Sequence, residues 1–193
     1  QTRNRLVRRY PWLRRRQTTP RAPLPVSPSS LTDASPRPTA PASYAVIFLS
    51  IMEWQERPQR PHHLARQCAL NGHEVYYVNP VHMPLSSAAA LQAPTALAPG
   101  VWDVRLPVAR RPLIYRETLD DALVQQMADA VDCLRRQQRI SCAVCVVSFP
   151  SWAPLAFELR RRFGWRIVYD CMDDWSKVEG MHAAALASED ELA

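Results

Sequence analysis

An α/β domain built on a mostly parallel sheet is what this sequence predicts, and three observations predict it. Short, nearly continuous apolar runs such as "YAVIFLS", "HEVYYVNP", "CAVCVVSF" and "RIVYD" have the length and content of strands buried on both faces. Segments with helical apolar spacing lie between them. The order reads β-α-β-(β)-α-β-α-β-α, the alternation that places helices on the faces of a parallel sheet.

The first strand is "YAVIFLS", from Tyr44. A polar loop, "IMEWQERPQRP", leads into the helix "HHLARQCAL", where Leu64 and Cys68 lie one turn apart. Pro61 suits its first turn and Asn71-Gly72 supplies a left-handed stop. "HEVYYVNP" is the second strand, closed by Pro80, so residues 44–80 form a βαβ unit. Residues 82–100 are rich in Ala, Pro and Ser and are expected to be irregular; "VWDVRLPV" is a shorter third strand. In "ETLDDALVQQMADAVDCLRRQQR", Leu119, Leu123, Met127, Val131 and Leu134 form one apolar stripe. Acids crowd the start of this helix and arginines its end, as the helix dipole favours. "CAVCVVSF" is a buried strand. "APLAFELRRRF" is a helix with Pro154 in its first turn and Gly164 as its stop. "RIVYD" is the last strand, and "SEDELA" reads as the start of a helix broken off early. With Gln1 in place of Met, this suggests a piece of a longer protein.

The net charge of +6 is unevenly placed. Residues 1–43 hold nine arginines against one aspartate, with eight of the 18 prolines and no glycine. Such a segment has too few large apolar side chains to offset the entropy of ordering, so it is expected to be a disordered Arg/Pro-rich tail or linker. The basic character therefore belongs to the tail and not to the domain at 44–193, which is slightly acidic. The tail's charge allows peripheral contact with an anionic membrane face, and no nucleic-acid partner is expected. No secretory signal and no apolar run of the ~18 residues needed to span a bilayer are present. Five cysteines in mostly apolar surroundings do not form a disulfide framework. These features point to a reducing cytoplasm, with the inner membrane face as the site of any tail contact.

Several chemistries are excluded by motif. The first βα loop has no glycine, so the dinucleotide fingerprint is absent; neither a phosphate-binding P-loop nor a nucleophile elbow occurs. Cys142 and Cys145 match C-x-x-C, but within a strand positions three apart face opposite ways, so both are expected to be buried core thiols. The loops after the first, fourth and last strands lie where ligands bind in such sheets. The last holds Asp170, Asp173 and Asp174 as D-x-x-D-D. Three readings stay open for it: a Mg²⁺ site for phosphotransfer, a loop contact and helix cap, or a general base or hydroxyl acceptor at a cleft. His62 and His63 lack a metal-protease pattern, and for His62 a ligand role and an exposed helix-start role are both open.

The stretch "EWQERPQRPHHLARQCALNGHEVYYVNP" resembles the start of GT-B glycosyltransferases. The likeness is to the group 1, family 4-like retaining enzymes, which include bacterial cell-envelope and polysaccharide transferases. Trp54, Arg57, Pro58 and Gln59 match the loop before the first helix, Gly72-His73 matches the end of that helix, and "VYDCMDDW" matches a later segment of the same half. The resemblance covers residues 44–193. It implies a Rossmann-like amino-terminal domain that binds the acceptor, and a second domain that binds a nucleotide-sugar donor. It implies no metal and no cofactor. Asp173 or Asp174 would be the catalytic residue that orients the acceptor hydroxyl. Arg57 and Gln59 would contact acceptor hydroxyls or a diphosphate, with His62 beside them. Trp54 and Trp175 would stack on a sugar face. The acceptor would be a glycan, a lipid-linked saccharide or a small molecule. Two features depart from the pattern: the first loop lacks the paired glycines of many relatives, and the Arg/Pro tail has no counterpart. The alternatives are a non-catalytic α/β binding module and a Mg²⁺-dependent phosphotransfer enzyme using Asp170, Asp173 and Asp174.

Overall fold

A computed structural model describes residues 44–79, 91–113 and 116–193. The tail expected at 1–43 and the first part of the irregular stretch lie outside the described residues. Six strands form one sheet: β1 (Ala45–Leu49), β2 (Val75–Val78), β3 (Thr95–Ala98), β4 (Val101–Val104), β5 (Ala143–Val147) and β6 (Arg166–Tyr169). Their spatial order is β3-β4-β2-β1-β5-β6. Every pairing is parallel except β3 with β4, which is antiparallel with an irregularity between Ala96 and Ala98. The expected α/β, Rossmann-like, mostly parallel sheet flanked by helices is therefore present.

The helices are α1 (Arg60–Leu70), α2 (Asp121–Gln137), α3 (Ala153–Phe163) and α4 (Ala183–Leu192). Side chains alternate across each strand and so feed two separate cores. Val46 and Phe48 of β1, with Val75 and Tyr77 of β2, face α1 through Leu64, Ala65 and Cys68. Ile47 and Leu49, with Tyr76, Val78, Cys145 and Val147, face α2 and α3 through Leu123, Met127, Val131, Leu134, Leu155 and Leu159. The apolar stripe expected on α2 is buried along its whole length.

Helix ends follow local chemistry. Asp120 caps α2 by accepting from the Leu123 amide at 2.9 Å. Gly164 ends α3 at φ +69°, a backbone shape that costs glycine nothing.

Three expectations need correction. Within 82–100, residues Thr95–Ala98 are a strand: they gain a hairpin partner in β4 that composition does not reveal. "SEDELA" is the end of α4, not a start, because His182 caps the helix eight residues upstream of Asp190 by accepting from the Ala184 amide. Cys142 lies just ahead of β5 and is exposed, so only Cys145 of that pair is a core thiol.

Candidate functional site at the carboxyl edge of the sheet

The chain leaves β1 toward α1 on one face and leaves β5 toward α3 on the other. Between these adjacent strands lies the topological switch point, the usual place for a ligand in an open α/β sheet. The polarity of the interior gathers here. The residue that follows each of β1, β2, β5 and β6 is polar and buried: Ser50, Asn79, Ser148 and Asp170. With His62 and Ser151, this edge takes six of the eight buried polar or charged residues among those described. Burying polar groups is costly unless they are hydrogen-bonded, so such a layer calls for local partners.

The partners are found mostly across the crevice. Ser148 donates its hydroxyl to the Leu49 carbonyl at 3.1 Å, and the Trp152 indole donates to the Ser50 carbonyl at 2.8 Å. On the α1 face the Tyr77 hydroxyl lies 2.5 Å from Ser50 Oγ and donates to the Met52 carbonyl at 3.1 Å. Burial raises the Tyr77 phenol to about 12, against the opposing effect of its bond with Ser50. The His62 ring holds the loop from within: Nδ1 accepts from the Gln59 amide at 3.1 Å, and Nε2 lies 2.9 Å from the Glu53 carbonyl. With Nδ1 accepting, Nε2 is the ring nitrogen placed to donate to the Glu53 carbonyl.

One ion pair joins the first loop to the last. Arg60 Nη2, in the first turn of α1, lies 2.5 Å from Asp170 Oδ1 at the end of β6. Only β5 lies between β1, which leads into α1, and β6, so this pair joins the loops on either side of β5, next to the switch point. Asp170 is fixed by its backbone too, its amide donating to the Val147 carbonyl at 2.8 Å. Arg60 had no place in the sequence reading. An arginine at a helix start opposes the helix dipole, and only its partner 110 positions away explains it.

The structure distributes the expected site residues unevenly. Arg57 and Gln59 are exposed on the rim of the first loop. Trp54 is half-buried, edge-on to Tyr77 at 5.1 Å, with the Arg66 guanidinium 5.0 Å above its ring. His62 is fully buried and clamps the loop, and His63 is the exposed member of the pair. Trp175 is turned inward, edge-on to Phe149 at 4.9 Å, so it packs at the loop edge and presents no open face. Asp173 and Asp174 are exposed. Asp174 pairs with Lys177 at 2.5 Å and accepts from the Ser176 hydroxyl, and these two contacts hold its carboxyl below the usual range.

The three aspartates do not converge. Asp170 turns to Arg60 and Asp174 to Lys177, and among the described residues no three His, Cys, Asp or Glu side chains are grouped to hold a metal ion.

A separate cavity of about 130 Å³ lies by the β3–β4 edge, lined by Gln92, Ala93, Thr95, Asp103 and Arg105. It falls short of the roughly 300–1,000 Å³ typical of small-molecule pockets, so the carboxyl edge is the better candidate. Among the described residues no helix is long and apolar enough to cross a membrane. In comparisons with known proteins, no family model matches this chain and no curated protein matches it.

Proposed function

We propose that residues 44–193 are the acceptor-binding half of a GT-B glycosyltransferase. The enzyme would move a sugar from a nucleotide-sugar donor to a glycan, lipid-linked or small-molecule acceptor. A second domain of similar fold would hold the donor. One observation carries the reading: the two segments that resemble this family, the loop at 54–59 and the segment at 168–175, adjoin the two ends of the Arg60–Asp170 pair at the switch point. Segments this distant in sequence have no local reason to be joined.

In this reading the exposed rim residues Arg57 and Gln59 contact acceptor hydroxyls, with Trp54 behind them as a partly open apolar wall. Asp174 orients the acceptor hydroxyl. Its carboxyl is held low by Lys177 and Ser176, which makes it a weak base at neutral pH. Its part is to accept a hydrogen bond and align the nucleophile.

The test is sugar transfer by a polypeptide carrying residues 44–193 together with the donor-binding half. The expected result is acceptor-dependent release of nucleoside diphosphate from one of a panel of nucleotide-sugars. Asp174→Ala should lower turnover by about tenfold or more with unchanged melting, since the side chain is exposed and its ion pair contributes little to stability. Unchanged turnover would remove Asp174 from the mechanism. Absence of transfer with every donor and acceptor would overturn the enzyme reading in favour of a binding module.

A further inference from the structure

Asp170 is a buried carboxylate with only one oxygen engaged. Oδ1 takes Arg60, while Oδ2 is closed to solvent and has no hydrogen-bond partner. The Asp170 side chain is 5% exposed and that of Arg60 is 60% exposed. A buried acceptor without a donor is uncommon and unfavourable, so the unpaired oxygen needs a cause. Two donors at the same edge of the sheet do not supply one. Ser148, beside Asp170 on the adjoining strand, spends its hydroxyl on Leu49, and Trp152 spends its indole N–H on Ser50. Arg60, by contrast, has further N–H groups on its exposed guanidinium.

We propose that Arg60 and Asp170 together are the contact point for two neighbouring hydroxyls of a neutral saccharide. One hydroxyl donates to Asp170 Oδ2 while the other accepts from the Arg60 guanidinium. A vicinal diol brings both a donor and an acceptor, which is what an arginine–carboxylate pair with an open oxygen requires. A phosphate at neutral pH offers acceptors almost alone. It would meet the Asp170 charge, which is already paired with Arg60. In this proposal Arg60, the exposed partner, shifts outward to admit the ligand to Oδ2. The choice of a saccharide rests on the acceptor-binding reading above; the preference for a hydroxylated neutral ligand over an anion rests on the pair itself.

The experiment is NMR on the 193-residue chain, following the Asp170 carboxyl carbon and the Arg60 Nε signal. Methyl glycosides of glucose, galactose and mannose are titrated into the millimolar range, with inorganic pyrophosphate as comparator. At least one glycoside should move both signals saturably, and pyrophosphate should move neither. Arg60→Gln, which alters an exposed side chain, and Asp170→Asn, which keeps its shape, should each weaken that binding by about tenfold or more. The proposal is overturned if no glycoside moves either signal, if pyrophosphate captures Arg60, or if both variants bind as the parent does. Glycoside binding at the pair without sugar transfer by the two-domain polypeptide would leave this site standing and remove the enzyme reading. Transfer without binding at the pair would do the reverse.

Discussion

At Tyr77 a phenol sits inside the sheet with its hydroxyl bonded to Ser50 and to the Met52 carbonyl. Burial favours the neutral form, so its pKa rises from the ordinary 10 to about 12. Cys145, buried in β5, is likewise raised by burial to about 12. Both groups keep a proton in the folded chain at a pH where the unfolded chain has lost it. Their contribution to stability is therefore complete below the unfolded values and is lost as pH rises through the folded ones. Urea midpoints measured between pH 8 and pH 12 should fall steadily above about pH 9. Tyr77→Phe should flatten the upper part of that fall. At neutral pH the same variant should cost about 1–2 kcal/mol, because it removes the buried hydrogen bonds of the Tyr77 hydroxyl to Ser50 and the Met52 carbonyl. A pH profile identical to the parent's would mean that the Tyr77 hydroxyl is not held as described.

Among the elements, α2 and α3 show how much a helix depends on its ends. Asp120 accepts from the Leu123 amide and also pairs with Arg110 at 2.6 Å. Asp120→Ala should lower stability by about 1 kcal/mol, read as a shift in chemical-denaturation midpoint at constant slope. Glycines at two turns allow a sharper comparison. Gly164, after α3, has φ +69° and open space where a Cβ would stand. Gly100, in the β3–β4 turn, has φ +72°, but a Cβ there would meet the Ala69 Cβ of α1 at 3.1 Å. Gly164→Ala should cost about 1 kcal/mol from backbone strain alone. Gly100→Ala should cost more, since strain and a tight contact add. Equal costs would show that α1 yields readily to the turn.

On the scale of the whole molecule the two faces of the sheet are unequally covered. Among the described helices, α2, α3 and α4 pack on one face and α1 on the other, where it reaches β1, β2 and β4. The α1-side positions of β6 are consequently open: Arg166 is exposed and Val168 is 50% exposed. Val168→Thr should change stability by less than about 0.5 kcal/mol, whereas Phe48→Ala on the same face should cost about 3–5 kcal/mol. A large loss at Val168 in denaturant titrations would mean that something covers β6 in solution.

The sequence by itself determined the order of the helices and of five of the six strands, the apolar stripe of α2, the stops at Gly72 and Gly164, and the parallel character of the sheet. Each of these follows from side-chain periodicity or backbone preference within a few residues, which the chain carries locally. It also placed the loops at 54–59 and 170–175 at the ligand edge, because strand direction fixes which loops lie there. The hairpin strand Thr95–Ala98, the inward turn of Trp175, the clamp by His62 and the Arg60–Asp170 pair were decided by tertiary structure alone. Thr95–Ala98 becomes a strand only when β4 offers it a ladder. Trp175 and His62 are polar-tipped side chains whose burial depends on Phe149 and on the Glu53 carbonyl, partners that no spacing rule supplies. Asp170 finds Arg60 because the sheet order sets only β5 between the strands that lead into their two loops, and strand order is a property of long-range packing.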